Sequence, residues 1–528
     1  MSNWKPIVML VTLLAAGGTW AQGATPLQAD PPGQYVDETE SGRNETFAAS
    51  DRIVATYYFY WYDNRTKAHV VTPDGHDLLT DHPPALEGFT YRSVDWHRGE
   101  LEDMLDAGID VVLPVYWGDS NSRSWSIPGL QKLVQAAQEM EEDGVEPPRI
   151  GMFYDTTALM REDQLKKGGE RPDLTTESGR KLFYRMIRDF YSVVPPRFRA
   201  RRADKPIAWL YSAAFASGHN QETIDYADRA FSRQFGGQDL HIVREVSWSV
   251  HTENVYAWGA ALNGPSFHGV LCLGPGYDDR AVPGRTTPVK PREGGEYYRR
   301  SWEQVLAFAA LKDRCTVAVE TWNEYHEGTD IAESREYGRT YIDMTARYAE
   351  LFKAREMPEQ FEGRRYIESD TASTNFTGEP AAIEFVDGIG DGPAEKLTRD
   401  GVTCLKPAKS SFDYNCLYFT VNQFYKTAQD LDRCMLEVTY YDGAPGTEFR
   451  LEYDSQTDVP PHNGAYRSTE SVALQGSGAW KEAEFRLSDA RFAGRQNGGA
   501  DFRLWVNNPD LLVRSITLRP DDDGTPRD

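Results

Sequence analysis

Glu324 and Glu327 stand three residues apart in the stretch Glu320-Thr-Trp-Asn-Glu-Tyr-His-Glu-Gly-Thr329. His326 lies between them, and Trp322 and Asn323 come just before. Two carboxyl groups within reach of each other suit general acid–base work. A like-charged neighbour raises the proton affinity of one, so that one carries a proton near neutral pH while the other stays ionised. Aromatic rings stack on the CH-rich faces of sugars, and amides bond to their hydroxyls. Carboxylates in such a setting are the equipment of glycosidic cleavage. Spacing along the chain does not fix distance in space, so the stereochemical outcome stays open.

A strand must deliver this motif, and the apolar run 315–319 just before it reads as one. Seven further β-branched or aromatic runs precede it, giving eight at 53–62, 110–117, 149–155, 206–212, 240–248, 254–258, 269–274 and 316–322. Helical patterns at 96–107, 129–142, 177–193, 221–235, 298–312 and 337–354 separate most of them. Repeated strand–helix alternation with continuous apolar strands predicts an α/β fold, a (β/α)8 TIM barrel. The competing doubly wound sheet should show a Gly-rich phosphate turn after its first strand. That turn here is Tyr60-Trp-Tyr-Asp-Asn64, without glycine.

In such a barrel the working residues sit at the carboxyl ends of the strands. Those ends carry Tyr60, Trp61 and Tyr62, then Tyr116 and Trp117, then Asp155, Tyr211, and Glu245 with Trp248. Tyr277 follows the seventh strand, and Trp322, Asn323 and His326 accompany the two glutamates after the eighth. These thirteen residues are the candidate substrate contacts, with Glu324 and Glu327 as candidate catalytic groups. His97, on a helix, reads as a structural residue. His69, His76 and His82 fall in a long loop whose spacing matches no metal site, and a solvated lid is the expectation. No metal or cofactor is implied.

Beyond about residue 356 the texture changes. Phe449-Arg-Leu-Glu-Tyr453 and Phe502-Arg-Leu-Trp-Val506 alternate apolar and polar residues between turn clusters. This predicts an all-β sandwich, jelly-roll-like, over 381–520, after a linker at 357–380. Residues 1–21 read as a secretory signal: a basic Lys5, then an apolar run too short to span a bilayer comfortably. A flexible leader at 22–50, the barrel at 51–356 and a disordered tail at 521–528 complete the expected order. The chain is thus expected to be secreted or periplasmic, with no membrane contact once the signal is removed.

The net charge of -24 argues against nucleic acid as a partner, since that needs clustered Lys and Arg. Export permits disulfides. Cys272 and Cys315 sit in apolar runs as expected buried thiols, and one pair among Cys404, Cys416 and Cys434 is open to bridging.

The motif Trp322-Asn-Glu-Tyr-His-Glu-Gly-Thr329 resembles the signature of glycoside hydrolase family 99 and its family 71/99-like superfamily. Tyr57-Tyr-Phe-Tyr-Trp-Tyr62, the stretch from Trp96 to Trp117, and Gly274-Pro-Gly-Tyr-Asp-Asp-Arg280 are similar to that superfamily too. The resemblance implies a retaining, endo-acting glycosidase acting on a polysaccharide or oligosaccharide. It gives Glu324 as base on the sugar 2-hydroxyl and Glu327 as general acid. The motif departs from the family in Tyr325, which replaces Trp, and in Asp330-Ile-Ala-Glu333 after Gly-Thr. Mannose specificity is therefore not carried over. The C-terminal segment resembles accessory, carbohydrate-binding sandwich modules, on the stretch Phe492 to Leu504, with Trp480 and Trp505 as candidate stackers or core residues. Two alternatives stay open: a glycan-binding protein with a non-catalytic barrel, and a hydrolase of the same superfamily acting on an α-glucan.

Overall fold

A computed structural model describes residues 46–521, apart from 119–124, 161–168, 359–360, 362, 378–381, 444, 458–461 and 463. The expected signal (1–21), most of the leader and the tail from 522 lie outside the described residues. The chain divides into two compact units, Met1–Pro358 and Glu359–Asp528.

In the first unit eight parallel strand positions form one sheet. They are β1 (Ile53–Tyr58), β2 (Val111–Tyr116), β3 (Met152–Tyr154, with Arg149–Ile150 just before it) and β4 (Lys205–Leu210). Then come β5 (His241–Glu245), β6 (Asn254–Tyr256), β7 (Leu271–Leu273) and β8 (Thr316–Val319). β1 lies between β2 and β8, pairing Thr56 with Val112 and with Val319. At the two ends of the sheet, Val270 N donates to Val255 O at 3.0 Å, linking the residue before β7 to β6. With that bond the sheet fits a barrel. β1 and β2 are buried along their whole length, because both faces are covered.

The helices that cover it are α1 (Val94–Asp106), α2 (Ser126–Glu142), α3 (Glu177–Val193), α4 (Gln221–Gln234), the four-residue α5 (Ala260–Asn263), α6 (Glu296–Lys312) and α7 (Thr340–Ala354). Their starts follow local chemistry. Ser93 accepts from Trp96 N to cap α1, and Thr176 accepts from Gly179 N to cap α3. α3 buries Phe183, Ile187, Phe190 and Tyr191, the spacing of one helical face. No helix joins β5 to β6, and only α5 and a short antiparallel strand, Ser266–Phe267, precede β7. Helix–strand alternation is therefore incomplete on that side of the barrel.

Part of the expected leader is anchored. Phe47 N donates to Arg201 O and Ala203 N to Phe47 O, so the chain from Thr46 onward is tied to the strand Arg201–Arg202.

The second unit has two antiparallel sheets. One contains Ala394–Arg399, Val402–Pro407, Leu512–Pro520, Cys434–Tyr441 and Trp480–Leu487. The other contains Ile383–Phe385, Asn415–Val421, Phe502–Val506 and Glu448–Tyr453. Alternating inward residues such as Leu417, Phe419, Phe449, Leu451 and Leu504 fill the space between them. Ala372–Thr374 pairs with Leu512–Pro520, so ordered sheet begins inside the expected linker. All five cysteines are free thiols, and Cys315 is half-buried where a buried thiol was expected. Trp505 is half-buried on the outer side of its sheet, under the Arg450 guanidinium at 3.9 Å and beside Tyr414. Trp480 packs edge-on against Tyr441.

Candidate active site

The residues after β8 form a closed loop. Thr321 N donates to Thr329 O at 2.8 Å, and the two threonine hydroxyls meet at 3.0 Å. Thr321 Oγ1 also accepts from Glu324 N at 2.9 Å. Trp322 N donates to Tyr57 O, which ties the loop to β1. At its far end the Arg292 guanidinium reaches Gly328 O at 3.1 Å, Asp330 Oδ1 at 3.0 Å and Asp81 Oδ2 at 2.8 Å. Gly328 takes φ +54°, and a Cβ there would come within 3.3 Å of Asp278 O. Backbone thus approaches backbone where a side chain would not fit.

Three carboxyl groups stand on this segment. Glu320 is held by backbone donors of the next loop, Gly259 N at 3.0 Å and Ala261 N at 3.3 Å. Burial pushes it up to about 8. Glu327 pairs with Arg285 at 2.7 Å. Burial raises it, Arg285 opposes, and the Glu324 charge adds to the rise, leaving it at about 7. Burial is the largest cause, and the like-charged neighbour adds to it as expected. Glu324 is buried, and its Oε1 accepts from His326 N at 3.2 Å and meets His326 Nδ1 at 2.7 Å. Its Oε2 has no hydrogen-bond partner among the described residues. A buried carboxylate oxygen without a hydrogen-bond partner in the chain is costly and calls for one from outside it, a water or a ligand.

Beside these groups lies a cavity of about 770 Å³, whose wall includes Tyr211, Glu245, Trp258, Tyr277, Glu320 and Glu327. Trp258 stacks on Phe153, with ring centroids 5.6 Å apart. Glu320 fixes the turn that follows Trp258 and so sets that ring. Glu245 Oε2 accepts from Ser247 N at 2.8 Å, folding the short β5–β6 connection.

Of the thirteen expected substrate contacts, Tyr211, Glu245 and Tyr277 line this cavity. Asn323 and His326 lie in the motif loop, buried, and Asn323 Oδ1 accepts from Phe59 N at 2.7 Å. Tyr60, Tyr62, Tyr116, Trp248 and Trp322 are completely buried and line no part of the cavity. Glu324, Asn323, His326, Trp61, Trp117 and Asp155 likewise form no part of this cavity's wall. Tyr60 donates to Ser126 O at 2.8 Å. Tyr62 donates to Asn323 O at 3.0 Å and accepts from Tyr325 N at 3.1 Å. Trp322 donates to Glu100 on α1, Trp248 donates to Tyr211 O, and Tyr116 packs edge-on against Phe190 of α3. Trp61, Trp117 and Asp155 form a second buried group: Trp117 Nε1 donates to Asp155, and Trp61 stacks with His69 at 5.1 Å.

Trp258 and Arg285 were not among the expected site residues, and Glu320 was expected at the end of the eighth strand without a role. Glu320 has a signal, its position at the end of β8. Arg285 has none, since it arrives from a loop forty-two residues before its partner. His97 is structural as expected, bonded to Tyr58 and Tyr91 O. His76 reaches Ala281 O, and His82 sits between Asp77 and Glu336. Among the described residues no group of three or more His, Cys, Asp or Glu is placed to hold a metal ion, and no helix is long and apolar enough to cross a membrane.

A family model described as "Domain of unknown function (DUF5010)" matches residues 36–363. No curated protein matches the chain. Among solved structures, the chain is similar to a GH99 endo-alpha-mannosidase from Bacteroides thetaiotaomicron, at 15% identity and TM-score 0.40, over 58% of this chain and 98% of that one. A "glycoside hydrolase-like protein" matches at 14% identity and TM-score 0.41, over 57% of this chain and 94% of that one. The C-terminal CBM6 of a laminarinase from Zobellia galactanivorans matches at 8% identity and TM-score 0.18, over 28% of this chain and 98% of that one.

Proposed function

We propose that this chain, which belongs to the DUF5010 family, is a glycoside hydrolase that cleaves within a polysaccharide with retention, using Glu324 as base and Glu327 as general acid. One observation carries the reading. Glu327 borders the cavity with a proton held near neutral pH, and beside it Glu324 leaves Oε2 unpaired. A binding protein has no use for that combination.

Glu324 Oε2 takes the proton of the sugar 2-hydroxyl, and O2 forms a bond to C1. The C1–O bond to the leaving sugar breaks, and its oxygen takes the proton of Glu327. Water then adds at C1 as the C1–O2 bond breaks, giving its proton to Glu327, while Glu324 returns its proton to O2. Glu324 acts as base then acid and Glu327 as acid then base, which restores both. Arg285 holds Glu327 Oε1, which leaves Oε2 to carry the mobile proton. Trp258, Tyr211 and Tyr277 supply ring and hydroxyl contacts for sugars. The second unit, in the same reading, is an accessory glycan-binding module, and residues 1–21 direct secretion.

The test is reducing-end release from a panel of polysaccharides by wild type, Glu324→Gln and Glu327→Gln. One glycan should be cut by wild type, and each variant should lose about 100-fold or more in rate. Glycan binding without cleavage, unchanged in both variants, would point to the non-catalytic reading.

A further inference from the structure

We infer that His326 is the positioning residue of Glu324: as an imidazolium it grips Oε1 and leaves Oε2 as the one oxygen that meets the substrate. The inference rests on the catalytic reading of Glu324, but its first support is a count of protons.

His326 Nε2 lies 2.8 Å from His69 O. A carbonyl oxygen only accepts, so Nε2 carries a hydrogen. Nδ1 lies 2.7 Å from Glu324 Oε1. Were the ring neutral, its Nδ1 lone pair would face a carboxylate lone pair at that distance. A proton therefore sits between them. Two features place it on Nδ1. Glu324 Oε1 already accepts from His326 N at 3.2 Å, which favours the carboxylate. The ring also lies 5.3 Å from the Tyr62 ring and 5.8 Å from the Trp61 ring, close enough for aromatic stabilisation of a cation.

Among the described residues, the titratable groups near His326 come from three places. Glu324 and Glu327 share its loop, Tyr62 comes from the end of β1, and His69 from the loop after it. Burial, with the nearby His326, holds the His69 ring down at about 3, so it stays neutral. Arg285 lies one group further out, on Glu327. Among the described residues, the group paired with Glu324 is thus His326. It fixes the carboxylate's rotation and leaves Oε2 for the sugar 2-hydroxyl.

The test compares wild type with His326→Phe and His326→Asn on the glycan that wild type cuts. His326→Phe removes donor and charge. It should lower kcat about 100-fold with little change in KM, and move the acid limb of kcat/KM to higher pH. His326→Asn keeps a neutral donor toward Oε1 and should recover about tenfold of that loss while keeping the shifted limb. Unchanged kcat and pH profile in His326→Phe would overturn the inference, as would equal losses in both variants with no movement of the limb. A second measurement stands whether or not a glycan is cut, or a variant folds. In 15N NMR of wild type, both ring nitrogens of His326 should be protonated at neutral pH, and an unprotonated Nδ1 would overturn the inference. Failure of the hydrolase reading shows instead as absent cleavage with the doubly protonated ring intact.

Discussion

Glu327 carries its proton near neutral pH because burial outweighs the Arg285 ion pair. In the proposed role of general acid it would work only while protonated. kcat/KM should therefore fall as pH rises through about 7, the value burial gives this group. Arg285 favours the ionised form, so Arg285→Gln should move that basic limb to higher pH, and a pH–rate profile of the two proteins checks it. The carboxylate pair was legible in the sequence because both groups lie in one loop with their aromatic and amide neighbours. The balance of causes was not, since Arg285 enters from a distant loop and burial has no local signature. The aromatic strand ends show the same limit. Tyr60 and Tyr62 read like sugar platforms, yet Tyr60 faces His97 and Trp125 of the covering layer, and Tyr62 braces Asn323. Sequence gives the ring and not the direction in which it points.

At the level of elements, β8 and the loops around it set the site. Arg292 joins Asp81 and Asp330 to the end of the motif loop, in a place almost without solvent. Arg292→Ala would leave two buried carboxylates uncompensated and should cost about 3–5 kcal/mol in urea unfolding. Gly274, at the end of β7, has Glu320 O 2.3 Å from where a Cβ would stand. Gly274→Ala should cost about 1–3 kcal/mol, measured the same way, and weaken turnover by displacing Glu320. All eight parallel strands and six of the helices were legible, because apolar runs and 3.6-residue periodicity are local signals. The helix-free β5–β6 connection follows from the short distance between those two runs. The strand Ala372–Thr374 was not legible: three residues of a turn-rich stretch show no alternation, and its partner Leu512–Pro520 lies far along the chain.

At the scale of the whole molecule, two hydrophobic cores and one charge balance organise behaviour. The second unit closes its core between its own two sheets. Residues 364–521 expressed alone should therefore unfold in one cooperative transition by circular dichroism, and a non-cooperative melt would refute this. The change from helical to alternating texture marked that division in sequence; the ordering of residues 46–50 by Arg201 and Ala203 did not show there. With a net charge of -24 the protein should show no binding to duplex DNA at physiological salt in a fluorescence titration. The central claim is that Glu324 and Glu327 divide base and acid roles, and leaving-group dependence tests it most directly. Glu327→Gln should lose about 100-fold or more on the natural glycan yet retain near wild-type rates on an aryl glycoside of the same sugar, whose leaving group needs no proton. Glu324→Gln should lose both activities. Retention of glycan cleavage by either variant, or equal losses on both substrates for Glu327→Gln, would contradict the account.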